Sequence, residues 1–174
     1  MQTTQSATSN TAKNDSQQQV LTFTLGSEIY GLDILRVQEI KGWEATTPIP
    51  NVPNYVKGVI NLRGVVVPIV DLRERFDIAE PTYDSTTVVI IVKTMLNQKN
   101  ERILGMVVDS VSDVYTVDLT TLQASPKLGT GSMSEQEFVM GLATLDGQMM
   151  ILLDVDHLVQ DGLFQALEGG RKPS

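Results

Sequence analysis

Apolar residues in this chain come in short β-branched runs rather than in helical stripes. Val20–Leu25 alternates and stops at Gly26, and Glu28–Ile34 follows at hairpin distance. Val59–Leu62 and Val65–Val70 flank Arg63-Gly64, while Thr86–Lys93 and Arg102–Asp109 flank the polar stretch Asn97–Asn100. Phe138–Leu145 and Met149–Leu153 flank Asp146-Gly147, a dipeptide suited to a tight hairpin because both residues tolerate positive φ. Helical periodicity is scarce. With Asp154 or Asp156 as N-cap, Val155, Leu158, Val159 and Leu163 share one face, weakened by Gly162. Short strands at close spacing, without long helices between them, predict barrels or a sandwich rather than α/β units.

The flanks read differently. Residues 1–19 are almost wholly Gln, Thr, Ser and Asn and predict a disordered polar tail, and 169–174 predict a frayed end, leaving 20–168 as one folded unit. The first residues lack the apolar core of a secretory signal, and no run approaches the ~20 apolar residues of a membrane span. The expected compartment is the cytoplasm.

The chain also resembles itself. Gly58–Asp71 can be laid on Gly141–Asp154 with both glycines, the Leu before the turn and the closing Asp in register. Earlier, Tyr30-Gly31 through Val37–Ile40 lies on Leu104-Gly105 through Val111–Val114. Two matches in the same order predict a duplication, with about nine extra residues in the second copy. The loop Gln123–Gln136, carrying Pro126, Gly129 and Gly131, offers a place for them. Duplication predicts two barrels of like construction with a seam between them, and an open seam lined by Val and Ile would suit a partner's helix.

Composition narrows the chemistry. A net charge of −8 and a pI near 4.5 disfavour nucleic acid and anionic membrane surfaces. Cysteine is absent, which removes disulfides, thiolate metal sites and Cys nucleophiles. The single histidine, His157, has Asp154 and Asp156 beside it, a pattern that fits a helix start with a surface His better than a catalytic or metal centre. Gly129-Thr130-Gly131 lacks the third glycine of a dinucleotide loop, and no phosphate loop or serine elbow occurs. No catalytic residue, metal, cofactor or small-molecule substrate is expected. The rival from another class is a small β-barrel hydrolase using carboxylates, which would show buried acids of raised pKa in a pocket.

Lys57–Leu72, with its Asn-Leu-Arg-Gly turn followed by Val-Pro-Ile-Val-Asp-Leu, together with Glu28–Ile40 and Gly105–Val114, strongly resembles the CheW family of bacterial chemotaxis coupling proteins. The match runs from about Val20 to Val159. This resemblance implies a mainly β fold of two SH3-like five-stranded barrels, intertwined in one domain, with a short C-terminal helix. It also implies a non-enzymatic cytoplasmic adaptor, recruited to membrane receptor arrays. Such an adaptor joins chemoreceptor cytoplasmic tips to the regulatory domain of the histidine kinase CheA. A related scaffold for surface motility or cyclic-nucleotide output is the alternative within the family.

The resemblance also bears on particular residues. It places Arg63 near a receptor-facing groove, where its planar fork suits a carboxylate or backbone carbonyls, although a hairpin tip alone reads as a solvated turn. It brings Val37 and Glu39 near the partner surface. For Val108, Val111 and Val114 the core and the seam remain equally open. Gly58 and Gly64 read first as backbone-geometry positions, with Gly58 also a place where a bulky residue would block a nearby partner.

Overall fold

The computed structural model describes residues 16–78, 81–97, 100–124 and 138–160. Its strands are β1 (Gln17–Leu25), β2 (Glu28–Asp33), β3 (Val37–Gly42), β4 (Val56–Leu62), β5 (Val65–Asp71), β6 (Val88–Asn97), β7 (Asn100–Val108), β8 (Ser110–Asp118), β9 (Val139–Leu145) and β10 (Gln148–Leu153). Helix α1 (Leu72–Arg75) follows β5, and α2 (Val155–Gln160) follows β10. A 3-10 turn, Ile34–Arg36, joins β2 to β3, and another, Leu119–Thr121, follows β8.

These strands form two five-stranded sheets, ordered β8-β1-β2-β10-β9 (sheet A) and β3-β6-β7-β5-β4 (sheet B). The repeat maps strand for strand, β1–β5 onto β6–β10, yet neither copy keeps its strands together. Sheet A takes β1 and β2 from the first copy and β8–β10 from the second; sheet B takes β6 and β7 from the second and β3–β5 from the first. The copies meet at the antiparallel pairs β1–β8 and β3–β6 and at the parallel pairs β2–β10 and β5–β7, where Gly31 faces Leu152 and Gly105 faces Ile69. A Cβ at Gly31 would stand 2.5 Å from Val20, and one at Gly105 2.4 Å from Ile69, so in both copies any larger residue would have to push a buried side chain aside at this close approach.

Each sheet is drawn toward closure in the same way. The segment behind the first edge strand forms an antiparallel bridge to the last one, Thr47 with Val59 in sheet B and Gln123 with Leu142 in sheet A. Gly58 sits beside the first bridge with φ of 129°, and a Cβ there would lie 2.1 Å from the Thr47 carbonyl oxygen. Only glycine fits. A substitution at Gly58 therefore disturbs this closure.

The uninterrupted run Val89–Val92 is explained by burial on both faces of β6. Val89 and Ile91 point into an interior cluster of sheet B with Ile60, Leu62, Val67, Ile69 and Val107, whereas Ile90 and Val92 point into a core shared by both sheets. Sheet A has its own interior of Val20, Val117, Met150 and Leu152. The shared core holds Leu21, Phe23, Leu25 and Leu32 of sheet A against Leu104, Met106 and Val108 of sheet B. At ~1.5–3 kcal/mol per fully buried side chain, this core is what holds the sheets together.

Three expectations change. The surface between the sheets is a filled core, not an open groove, because both sheets turn apolar side chains into it. Residues 17–19 are not tail: Gln17, Gln18 and Gln19 pair with Asp118, Val117 and Thr116, since a backbone ladder needs no apolar side chains. Strands β3 and β8 were not foreseen as strands. The expected loop and C-terminal positions 125–137 and 161–174, including Leu163, lie outside the described residues, as do residues 1–15.

Candidate functional site

Three of the predicted residues, Arg63, Gly64 and Glu39, come together where the β4–β5 turn meets β3, the opposite edge strand of sheet B. Arg63 and Gly64 form the β4–β5 turn with φ of 53° and 87°, both positive as a type I′ hairpin demands. Asn61 locks the turn, its Oδ1 accepting from the Gly64 N–H at 2.8 Å. The chain is thereby bent so that Arg63 swings back over the opposite edge strand, where its Nη2 donates to Glu39 Oε1 at 2.5 Å. The Arg63 side chain is 71% exposed and that of Glu39 23% exposed. An exposed pair of this kind contributes ~1 kcal/mol or less to stability, so its presence orients the guanidinium more than it holds the fold. Ile40, Val65 and Val66 are exposed on the same sheet's outer strands. Val65 and Val66 follow directly from the turn, and Leu35, just before β3, is 85% exposed. Neither Leu35 nor Ile40 was singled out from the sequence; apolar patterning marks a side chain as apolar without saying whether it faces in or out.

The remaining candidates separate. Val37 is half-buried against the shared core, and Val111, its counterpart on β8, packs there too. Val108 is fully enclosed in that core and offers no surface to a partner, because β7 is central in sheet B and covered on both faces. Val114 is half exposed on the edge strand β8. Gly64 has open space around its Cα, so φ rather than crowding selects glycine there.

A second polar cluster is buried and was missed. Asp71 accepts from Arg73 Nε at 3.0 Å, Arg73 Nη2 at 2.9 Å, the Arg73 N–H at 2.9 Å and the Tyr83 hydroxyl at 2.8 Å. Arg73 Nη1 also donates to Asp109 Oδ1 at 2.8 Å and to the Thr82 carbonyl at 2.8 Å. The guanidinium lies 5.1 Å from the Tyr83 ring, which packs on Trp43 at 4.4 Å. Burial disfavours the charge on Arg73, but the two carboxylates outweigh it and hold the guanidinium protonated well above its ordinary range. Burial and then the bond to Asp71 push the Tyr83 hydroxyl well above its usual 10.0. Both Asp71 oxygens are thus taken up by two committed donors each. The cluster is structural. The only sequence signal was Asp71 as the closing aspartate of the repeat.

At the matching turn of sheet A, Asp146 and Gly147 have φ of 50° and 79°, and Asp146 accepts from the Tyr115 hydroxyl of β8 at 3.2 Å. Beside it a cavity of about 330 Å³ opens between β8 and β9, lined by Thr116, Asp118, Gln123, Ala143 and Thr144 among others. No helix among the described residues is long and apolar enough to cross a membrane.

Residues 19–162 match the family model for the CheW-like domain. The chain is 43% identical over 142 residues to the chemotaxis protein CheW of Klebsiella aerogenes, covering 82% of this chain and 81% of that one. With the chemotaxis protein CheW of Rhizobium meliloti it shares 37% identity over 142 residues, covering 80% and 86% respectively. The crystal structure of the scaffolding protein TtCheW from Thermoanaerobacter tengcongensis superposes with a TM-score of 0.72 at 31% identity, covering 84% of this chain and 90% of that one. With this mainly β fold of two five-stranded sheets, and with relatives named as chemotaxis and scaffolding proteins, the chain belongs to the CheW-like domain family.

Proposed function

We propose that this protein is a cytoplasmic coupling protein that binds a chemoreceptor cytoplasmic tip and the regulatory domain of the histidine kinase CheA at the same time, and is thereby recruited to membrane receptor arrays. The observation that carries the receptor arm is the Arg63–Glu39 pair, which presents an exposed guanidinium at the β4–β5 turn of a sheet whose outer strands also expose Val65, Val66 and Ile40. An exposed cation on a sheet rim that also carries exposed apolar side chains suits a helical hairpin carrying a carboxylate or free carbonyls beside an apolar stripe. Gly64 completes the turn that presents Arg63, and Val37 begins the strand that carries Glu39. The kinase arm we assign to sheet A, where Val114, Met140 and Met149 are exposed.

The test mixes the protein with a receptor cytoplasmic fragment and a kinase regulatory domain and follows co-elution and affinity. A ternary complex is expected, with each pairwise affinity at tens of micromolar or tighter, near −6 kcal/mol. Arg63→Asp should weaken the receptor arm about tenfold or more and leave kinase binding unchanged, while Asp146→Lys, at the matching turn of sheet A, should spare the receptor arm. Unaltered receptor affinity in Arg63→Asp, or no shift in elution by either partner, defeats the proposal.

A further inference from the structure

Each copy of the repeat crosses from one sheet to the other once, and each crossing is clasped to the helix that follows a fifth strand. At the β7–β8 crossing Asp109 accepts from Arg73 of α1 at 2.8 Å, and its other oxygen accepts from the Gly26 N–H in the β1–β2 turn at 2.7 Å. At the β2–β3 crossing Arg36 donates to Asp156 of α2 at 2.6 Å, and the other Asp156 oxygen accepts from the Met95 N–H of β6 at 2.9 Å. Arg73 and Asp156 occupy the same repeat position, two residues after the closing aspartates Asp71 and Asp154. The plan is shared and the charges are reversed: cation on the helix in one clasp, anion on the helix in the other.

Their surroundings differ as much as their plan agrees. The Arg73 side chain is 3% exposed and also bound to Asp71, itself 0% exposed, so breaking that clasp strands a charge in the core. The Arg36 and Asp156 side chains are 34% and 21% exposed, so water can take up either group when the pair parts. The shared core keeps α2 seated through Val155 and Leu158 whether or not this pair is formed. What the pair can decide is the exact position of the crossing, and the crossing leads straight into Val37 and Glu39.

We infer that Arg36–Asp156 is an adjustable latch coupling α2 to the β3 edge, while Arg73–Asp71–Asp109 is a permanent lock. Closed, the latch fixes β3 and, through the Glu39 bond, the direction in which Arg63 points. Open, it lets the β3 edge move independently of α2. Arg36 and Asp156 are thus positioning residues for the edge read above as the receptor surface, and the inference rests on that reading for its purpose but not for its detection.

The test compares Arg36→Met, Arg36→Lys and Asp156→Asn in the full chain by nuclear magnetic resonance, without partners. Arg36→Met and Asp156→Asn should move the backbone amides of residues 37–40 and the Arg63 side-chain Nε–H in the same direction. They should also raise hydrogen exchange at residues 37–40 about fivefold, leaving β1 and β2 unchanged. Arg36→Lys, which keeps the charge, should restore the original positions. Folded variants with unmoved Arg63 and residue 37–40 signals overturn the latch, and so does global unfolding, which would make the pair a second lock. A second arm measures receptor-fragment affinity: a fivefold loss in Arg36→Met with unchanged kinase binding supports the coupling. Signals that move while receptor affinity stays constant uphold the latch and overturn the assignment of the receptor to this edge.

Discussion

The hairpins β4–β5 and β9–β10 are built alike and used differently. Both turn on two residues of positive φ, both receive a bridge from the segment behind the opposite edge strand, and both send the first turn residue back across the edge. Arg63 nevertheless stands where Asp146 stands, reaching Glu39 in one sheet and meeting the Tyr115 hydroxyl in the other. Position 43 in sheet B is Trp43, packed on Tyr83, whereas its counterpart in sheet A is Val117, beside a cavity of about 330 Å³. What the two copies share is what the backbone requires. What they do not share is charge and side-chain volume at the rims, and those are the features a partner can distinguish.

The sharpest way to break the comparison is at the clasps. Arg73→Met should cost about 3–5 kcal/mol in urea denaturation, since it leaves Asp71 buried without its cation. Asp156→Asn, at the matching position, should cost about 1 kcal/mol or less because that pair is partly open to water. Equal costs would mean that burial does not distinguish the two. Next come the bridge glycines. Gly58→Ala should cost about 3 kcal/mol, because it adds a disfavoured φ to a backbone collision with Thr47. Gly141→Ala, whose Cβ would meet Leu122 at 2.9 Å without a positive φ, should cost about 1 kcal/mol. A larger loss at Gly141 would show that sheet A, not sheet B, depends on its closure.

The smallest effect separates the sheets by pH. The Tyr83 hydroxyl titrates above its usual 10.0 when folded, so the folded state holds its proton where the unfolded chain has released it. Its contribution is complete below pH 10 and is lost as pH rises through the folded value. Stability should therefore fall above pH 10, and Tyr83→Phe should flatten part of that decline while costing about 1 kcal/mol at neutral pH for the lost Asp71 bond. Stability profiles of the two proteins that run parallel from pH 9 to 11 would exclude Tyr83 as the cause.

Much of this was legible along the chain. Arg63-Gly64 and Asp146-Gly147 announced their turns, and the offset between Gly31 and Gly105 announced the repeat that the two sheets obey. Strands β3 and β8 were hidden because they are edges: residues such as Gln38, Lys41, Ser112 and Thr116 alternate too little apolar surface to register as strands. The exchange of strands was hidden for another reason. Hydropathy states that a face is buried but not against which copy, and the crossings at Asp33–Val37 and Val108–Ser110 make that choice. Arg63 and Glu39 were each legible alone. Their contact joins residues 24 apart in the chain and depends on the sheet having curled far enough to bring its edges together.

The exchange of strands also sets an order of events during synthesis. Strand β1 must wait for β8, and β2 for β10, so neither sheet is complete in the first half of the chain. Such long-range pairing makes for slow folding, because distant segments must find each other before the sheet repays the lost chain freedom. A ribosome that has released only the first copy holds Leu21, Phe23 and Leu25 with nothing to cover them on the side of the second copy. That interval, rather than any weakness of the finished molecule, is when this protein is most exposed to aggregation.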